Sequence, residues 1–250
     1  MGSRRLGTDT TIDIYVGCRP SHALVVAVLE WSIRRHTRRP VRVHRLHERV
    51  PAFDLPRAAG AAPGTAFSFQ RFCVPEVAAY QGRALYLDCD QIVFKDIGTL
   101  FDYPMRDAPV LPTNTDRPEG RRGDKRSSVM LLDCARVDWD VRALIADLDA
   151  GRRRYRDLFA LPEYRRTLPG RWNALDRYWP GWTALVHYTA KRRQPWIGHT
   201  HALGHLWMRC LFEALDAGAI APEAVAGAAA RGEVRPSLLW QVEHRVADLR

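Results

Sequence analysis

The first half of the chain alternates short apolar strands with segments of helical spacing, and this alternation restricts the fold more than any single motif does. Ile12-Asp-Ile-Tyr-Val-Gly17 reads as a strand that ends at a glycine. Ser21 is placed to cap a helix running to about residue 36, because Leu24, Val25, Val28, Leu29 and Ile33 recur at helical spacing. Val41 to Leu46 alternates as a second strand would, Gln70 to Tyr80 is expected to be helical, and Arg83 to Leu87 is an apolar strand entering Asp88-Cys89-Asp90. Extended character resumes over Gln91 to Phe94. Ser128 to Asp133 and Thr183 to His187 are later strands, and 141–148, 202–218 and 222–230 are helices. Loops are expected over Pro51 to Thr65 and, as a mobile Arg/Gly-rich stretch, over Asn114 to Arg126. The order predicts an α/β fold with one mixed, Rossmann-like sheet flanked by helices. No repeat or linker divides residues 1–250, so one domain is expected, with a core over about 12–197 and a helical extension over about 198–250.

Composition removes several classes. With 250 residues, 46% hydrophobic and 26% charged, the chain can bury a sizeable core, which excludes a disordered tail, a collagen-like repeat and a small disulfide scaffold. No apolar run reaches the roughly 18 residues of a membrane span, and the first residues lack the apolar core of a secretory signal. The formal charge of +10 comes from 35 Arg against 3 Lys, a bias that an Ala-rich, GC-biased coding sequence produces without any polyanionic partner. Arg117 to Arg126 and Arg152 to Arg156 are the two basic clusters. No nucleic-acid module accompanies them and no aromatic residues interleave with them, so nucleic acid is not an expected partner. The five cysteines (18, 73, 89, 134 and 210) are an odd count without C-x-x-C, and they read as reduced, core-packed thiols of a cytoplasmic protein.

The D-x-D pattern occurs at Asp88/Asp90, Asp138/Asp140 and Asp147/Asp149, and context separates the three. Asp147 and Asp149 lie in an amphipathic helix and are expected to be solvated, while Asp138-Trp-Asp140 precedes that helix as a cap. Only Asp88-Cys-Asp90 follows a buried strand, at the carboxyl end where open α/β sheets place ligands. Two carboxylates there suit a hard divalent cation such as Mg²⁺ or Mn²⁺; the bland alternative is an Asp-stabilised turn. His187 ends a strand beside Lys191-Arg-Arg193, where a metal ligand next to phosphate-binding cations competes with a structural histidine. His201 and His205 are four residues apart, but the glutamate of H-E-x-x-H is missing, which counts against zinc. No G-x-S-x-G, P-loop or G-x-G-x-x-G is present. Trp172, Trp179, Trp182 and Trp196 crowd one Pro-rich stretch, mainly as packing, with sugar stacking as the functional alternative.

Taken in order, Phe67-Ser-Phe-Gln-Arg-Phe72, Ala84-Leu-Tyr-Leu-Asp-Cys-Asp-Gln-Ile-Val-Phe94 and Asp96-Ile-Gly-Thr-Leu100 resemble the family 8 glycosyltransferases, the glycogenin and lipopolysaccharide galactosyltransferase type. Trp172-Asn173 and Val186-His-Tyr-Thr-Ala-Lys-Arg-Arg-Gln-Pro-Trp196 look like the ending of that family, and the likeness spans about residues 12–197. The resemblance implies a GT-A fold and a metal-dependent hexosyltransferase that uses a nucleotide-sugar, usually a UDP-sugar, with retention at the anomeric carbon. It implies Mn²⁺ (or Mg²⁺) held by Asp88, Asp90 and His187, with Asp88 and Asp90 as the catalytic pair. It also implies that Val16 and Gly17 line the uracil site, that Arg71 lies near the donor, and that Cys89 adjoins it.

The sequence departs from that pattern at Ala190, where the family has glycine, and at Gln194, where it has lysine in a segment one residue shorter. Lys191, Arg192, Arg193 or Gln194 would then meet the diphosphate. The family's "NSG" appears as Arg126-Ser127-Ser128, so acceptor contacts are expected to differ. Its acidic "DQ" pair has no counterpart, Asp157 being the nearest acid. Front-face attack needs no enzyme nucleophile, whereas double displacement needs a carboxylate at the anomeric carbon. Rival readings are a degenerate transferase that binds UDP without turnover, a polyanion binder, and a sugar nucleotidyltransferase, which would want more glycine than Gly17-Cys-Arg-Pro20 offers. The helices after residue 200 are expected to cover the acceptor side or to form a homodimer contact. The acceptor, whether glycan, lipid, protein or small molecule, stays open, as does attachment at the periphery of a membrane.

Overall fold

The structure is a computed structural model, and it describes residues 10–50, 53–57, 66–114 and 126–249. Most of the two expected loops, over Pro51–Thr65 and Asn114–Arg126, lies outside the described residues. In chain order the elements are β1 (Ile12–Gly17), α1 (Ala23–Arg34), β2 (Val41–Arg45), α2 (Val74–Val77), β3 (Arg83–Asp88), β4 (Gln91–Val93), α3 (Gly98–Phe101) and β5 (Val110–Pro112). There follow β6 (Val129–Asp133), α4 (Val141–Asp149), β7 (Ala174–Leu175), β8 (Leu185–His187), α5 (Gly204–Asp216), α6 (Pro222–Ala230) and α7 (Ser237–Glu243). They fall into two compact units, one of residues 1–18, 39–88 and 98–170 and the other of residues 19–38, 89–97 and 171–250.

The first unit holds the mixed sheet, five strands in the order β2-β1-β3-β6-β5. β1 runs parallel to β2 and β3, and β6 runs antiparallel to β3 and β5. A strand covered on both faces needs an unbroken apolar run, and Ala84-Leu-Tyr-Leu87 supplies one at the centre of the sheet. On the face that carries Tyr86, the core is built from Phe69, Phe72, Val74, Met130, Trp139 and Ile145. Each such side chain contributes on the order of 1.5–3 kcal/mol by leaving water. The helix expected over Gln70–Tyr80 is instead a 3-10 segment, Ala66–Cys73, joined to the single turn α2. Pro75 has no N–H to donate and is tolerated only in a first helical turn, so the α-helix has to start at Val74 rather than run through it. Asp140 caps α4 as expected, its carboxylate accepting the Arg142 and Ala143 amides at 2.8 and 3.2 Å.

The second unit adds a short three-stranded sheet, β4-β8-β7, to the one sheet that the sequence led us to expect. β8 pairs antiparallel with β4 and parallel with β7. Leu24, Val25, Val28, Leu29 and Ile33 of α1 are buried as their spacing required. Ser21 does not cap that helix: it sits inside a 3-10 turn, Pro20–His22, because Pro20 starts a turn there and delays the first α-helical residue to Ala23. The helices after residue 200 are no appendage. Trp207, Met208, Leu211, Phe212, Ile220, Val225 and Leu238 share a single core with Leu24 and Val28 of α1, Ile92 of β4 and Val186 of β8.

Asp176 ties this unit together just after β7. It adopts a positive φ of 54°, its amide donates to the His187 carbonyl at 3.0 Å, and its carboxylate collects the Thr189 amide at 2.8 Å and the Thr189 hydroxyl. His201 Nδ1 accepts the Leu203 amide at 3.0 Å, which leaves Nε2–H to donate to Asp176 at 3.1 Å. Burial pushes the Asp176 carboxyl upward, but the hydrogen bonds from His201 and Thr189 outweigh it and hold the group well below the usual carboxylate range.

Two outcomes are expected. A folded-state pKa below the unfolded value of about 4 gives stability that is present above that pH and is lost progressively as pH falls from there toward the folded-state pKa. Asp176→Asn is therefore expected to destabilise the protein by about 1–3 kcal/mol at pH 7. Thermal unfolding followed from pH 7 to 3 should show the gap between variant and wild type narrowing below about pH 5; a constant gap would contradict the assignment. Burial also pushes the thiols of Cys18 and Cys210 up to about 11 and those of Cys73 and Cys134 up to about 12. All five cysteines are free and buried, so at pH 8 the native protein should resist alkylation and the unfolded protein should take up label at every thiol. Labelling of the native protein, read by mass spectrometry, is the contrary result.

Candidate functional site

Alternation along β3 sets the site. Ala84, Tyr86 and Asp88 share one face of the strand, so an apolar core position, a phenol and a carboxylate follow one another along it. Asp88 is only 4% exposed. Its Oδ1 accepts the Tyr86 hydroxyl at 2.7 Å and Arg71 Nη2 at 3.2 Å. The Arg71 guanidinium lies 5.2 Å from the centre of the Tyr86 ring and also bonds the Ser127 hydroxyl. Burial alone would pull the Arg71 pKa down; Tyr86 and Asp88 reverse that, and it stands above its ordinary value. The charge is kept, and a buried carboxylate needs such a partner.

His187 ends β8, paired in register with Gln91 of β4, and is fully buried. Its Nδ1 lies 2.9 Å from Asn173 Oδ1, an acceptor only, and 3.5 Å from the donor Gln91 Nε2; the shorter contact puts the proton on Nδ1 and leaves Nε2 a lone pair. Nε2 stands 3.1 Å from Asp90 Oδ1 without hydrogen-bond geometry and has no hydrogen-bond partner. The other Asp90 oxygen accepts the Gln194 amide at 2.9 Å, and the same amide nitrogen donates to the Tyr188 carbonyl at 2.8 Å.

Ligand atoms from Asp88, Asp90 and His187 all lie within 4.8 Å of one another. Two carboxylate oxygens and a neutral imidazole nitrogen form a donor set that suits a hard divalent cation. The buried lone pair of His187 Nε2, which meets no donor, fits such an occupant.

The remaining sequence candidates divide. Val16 is fully buried and Gly17 is buried beside it, at the carboxyl end of β1. Arg71 engages Asp88. Cys89 is buried, its Sγ 3.1 Å from His22 Nδ1. Lys191, Arg192 and Arg193 form an exposed 3-10 turn, whereas Gln194 turns inward to Asp90. His201 and His205 share no helix face, because α5 starts between them at Gly204 and His201 serves Asp176. Trp172 and Trp196 are core residues, while Trp179 and Trp182 are about half exposed. In the basic cluster, Arg152 and Arg153 meet Asp147, and Arg154 and Arg156 meet Asp157, so its charge is partly met by local acids. Asp149 is exposed as expected and also accepts the Arg57 amide at 2.6 Å. The other basic cluster, Arg117–Arg126, lies outside the described residues except at its last position.

Three contributors escaped the sequence reading: the Tyr86 hydroxyl, the Asn173 carboxamide and Ser127. Strand parity could have flagged Tyr86, two residues before Asp88. Asn173 and Ser127 lie in segments already matched to family motifs, but the groups they hold, His187 and Arg71, are remote in sequence, so those segments do not announce the bonds.

No family model matches the sequence. Protein CDI of Arabidopsis thaliana is 34% identical over 95 residues, a stretch that covers 36% of this chain and 35% of that protein, so the chain matches about a third of its relative's length. Solved structures are alike over far more of the chain. The galactosyltransferase LgtC, in complex with donor and acceptor sugar analogs, aligns with a TM-score of 0.59 at 15% identity over 81% of this chain and 96% of LgtC. The glycosyltransferase GlyE of Streptococcus pneumoniae aligns at 0.54 and 15% identity over 84% of this chain and 64% of GlyE. The bifunctional glycosyltransferase WbbM aligns at 0.51 and 12% identity over 81% of this chain and 50% of WbbM. The chain has the mixed α/β fold of GT-A glycosyltransferases.

Proposed function

We propose that this protein is a glycosyltransferase that moves a hexosyl group from a nucleotide-sugar, a UDP-sugar, to an acceptor. The observation that carries the reading is the convergence of Asp88, Asp90 and His187 in a fold shared with glycosyltransferases. Asp88, Asp90 and His187 would hold Mn²⁺ or Mg²⁺, which when bound offsets the negative charge that develops on a leaving nucleoside diphosphate.

The chain's own residues prepare that site. Asn173 selects the His187 tautomer whose Nε2 can ligate. Arg71 neutralises Asp88 and limits its rotation, and Gln194 limits the rotation of Asp90 through a neutral hydrogen bond. The exposed Lys191-Arg192-Arg193 turn, four to six residues after His187, supplies cations for the diphosphate. Val16 and Gly17 would meet the base through backbone, and Cys89 would lie at the donor as part of the same turn as the carboxylates. Transfer with retention by front-face attack is the mechanism we favour, because it asks for no enzyme carboxylate at the anomeric carbon. Residues 12–197 would form the catalytic core. No helix among the described residues is long and apolar enough to cross a membrane, and the free thiols support a reducing compartment, the cytoplasm, with any membrane attachment at its periphery.

Thermal unfolding with nucleotides tests this reading. Saturation at 100 times Kd adds about 2.7 kcal/mol, or about 5–10 °C for a chain of this size. UDP with Mn²⁺ is expected to raise Tm by that much, and neither UDP alone nor either ligand with Asp90→Asn should reproduce it. Asn173→Leu should weaken Mn²⁺ binding about 10–100-fold. Absence of a shift with every nucleotide, with or without metal, would overturn the transferase reading and leave a polyanion-binding surface as the alternative.

A further inference from the structure

We propose that Tyr86 is a positioning residue for the cation site, and that position 17 is glycine so that the Tyr86 hydroxyl can reach Asp88; the inference rests on the metal reading above. β1 and β3 are parallel neighbours with Tyr15 opposite Tyr86 and Gly17 opposite Asp88. Residues opposite one another in a parallel pair face the same way, and so do residues two apart on one strand. The Tyr86 side chain, the Asp88 carboxylate and the place where a Gly17 side chain would begin therefore share one face of the sheet.

That place is taken. A Cβ on Gly17 would overlap the Tyr86 hydroxyl and stand 3.0 Å from Cζ and 3.1 Å from Cε2 of its ring. The need for glycine is steric: Gly17 is an ordinary extended strand residue, not one of the positive-φ glycines of this chain. The hydroxyl that fills the space donates to Asp88 Oδ1 at 2.7 Å, and Arg71 donates to the same oxygen at 3.2 Å. Two donors on one oxygen, approaching from a buried phenol and a buried guanidinium, fix the rotation of the carboxylate. The phenol is the shorter bond, and its ring also lies under Arg71, so one side chain orders both the ligand and its counter-charge. Gly17 would then act on the cation at second hand, by leaving room for the Tyr86 hydroxyl.

Three variants test this with Mn²⁺ alone as the probe, using calorimetry for affinity and thermal unfolding for packing. Tyr86→Phe keeps the ring and removes only the hydroxyl, and it should weaken Mn²⁺ binding about tenfold with little change in Tm. Gly17→Ala should lower both Tm and Mn²⁺ affinity. In Gly17→Ala/Tyr86→Phe the nearest overlap is gone, so Tm should return most of the way to wild type while Mn²⁺ affinity stays at the Tyr86→Phe level. Mn²⁺ binding to Tyr86→Phe with wild-type affinity would overturn the positioning role and leave the metal reading standing. A double variant no more stable than Gly17→Ala would overturn the role given to Gly17. Wild-type protein that binds no Mn²⁺ would instead overturn the metal reading itself, a result distinct from the other two.

Discussion

Asp88 sits at the end of a strand that is buried on both faces, and a carboxylate there is tolerable only with a compensating charge at hand. An isolated charge of this kind costs several kcal/mol to remove from water. Arg71 meets that need, and the chain around it is organised to keep the guanidinium in reach. The 3-10 segment Ala66–Cys73 carries Arg71 to the sheet, Ser127 takes another of its N–H groups, and the Tyr86 ring covers its face. Because the pair is closed off from water, its geometry is set by packing rather than by solvent, and the ligand position of the carboxylate inherits the rigidity of the core.

His187 solves a different problem with the same economy of parts. A buried neutral histidine must satisfy two ring nitrogens, and Asn173 answers for only one of them. The other faces the Asp90 carboxylate at 3.1 Å without the geometry of a hydrogen bond. Structures do not ordinarily bury such a nitrogen without purpose. The likeness to LgtC and GlyE supplies the fold in which this arrangement sits, and the donor set supplies its chemistry.

Much of this was legible in the residues themselves. β1 begins and ends where the sequence pattern places it, β3 extends the expected strand by one residue, and α6 has the expected bounds. The positions of Asp88 and His187 at strand ends were readable from the pattern, and the structure brings both together with Asp90. The short strands β5 and β7 were not, since three and two residues carry no measurable period. Gln194 follows three cations and was grouped with them as a candidate for the diphosphate; that its amide donates to Asp90, 104 positions away, is a pairing no local pattern encodes. Ser21 has the right chemistry for a cap, and the proline before it decided otherwise.

The core shared by α1 and the C-terminal helices has a consequence for the order in which the protein is made. α1 is complete at residue 34, yet Trp207, Leu211, Phe212, Val225 and Leu238, which cover its apolar side, begin only with α5 at residue 204. About 170 residues separate the two, so at a synthesis rate of about 5–20 residues per second Leu24, Val25 and Val28 wait roughly 10–30 s for their partners. Over that interval the nascent chain carries an exposed apolar helix, and the second unit closes only once α5, α6 and α7 have been made.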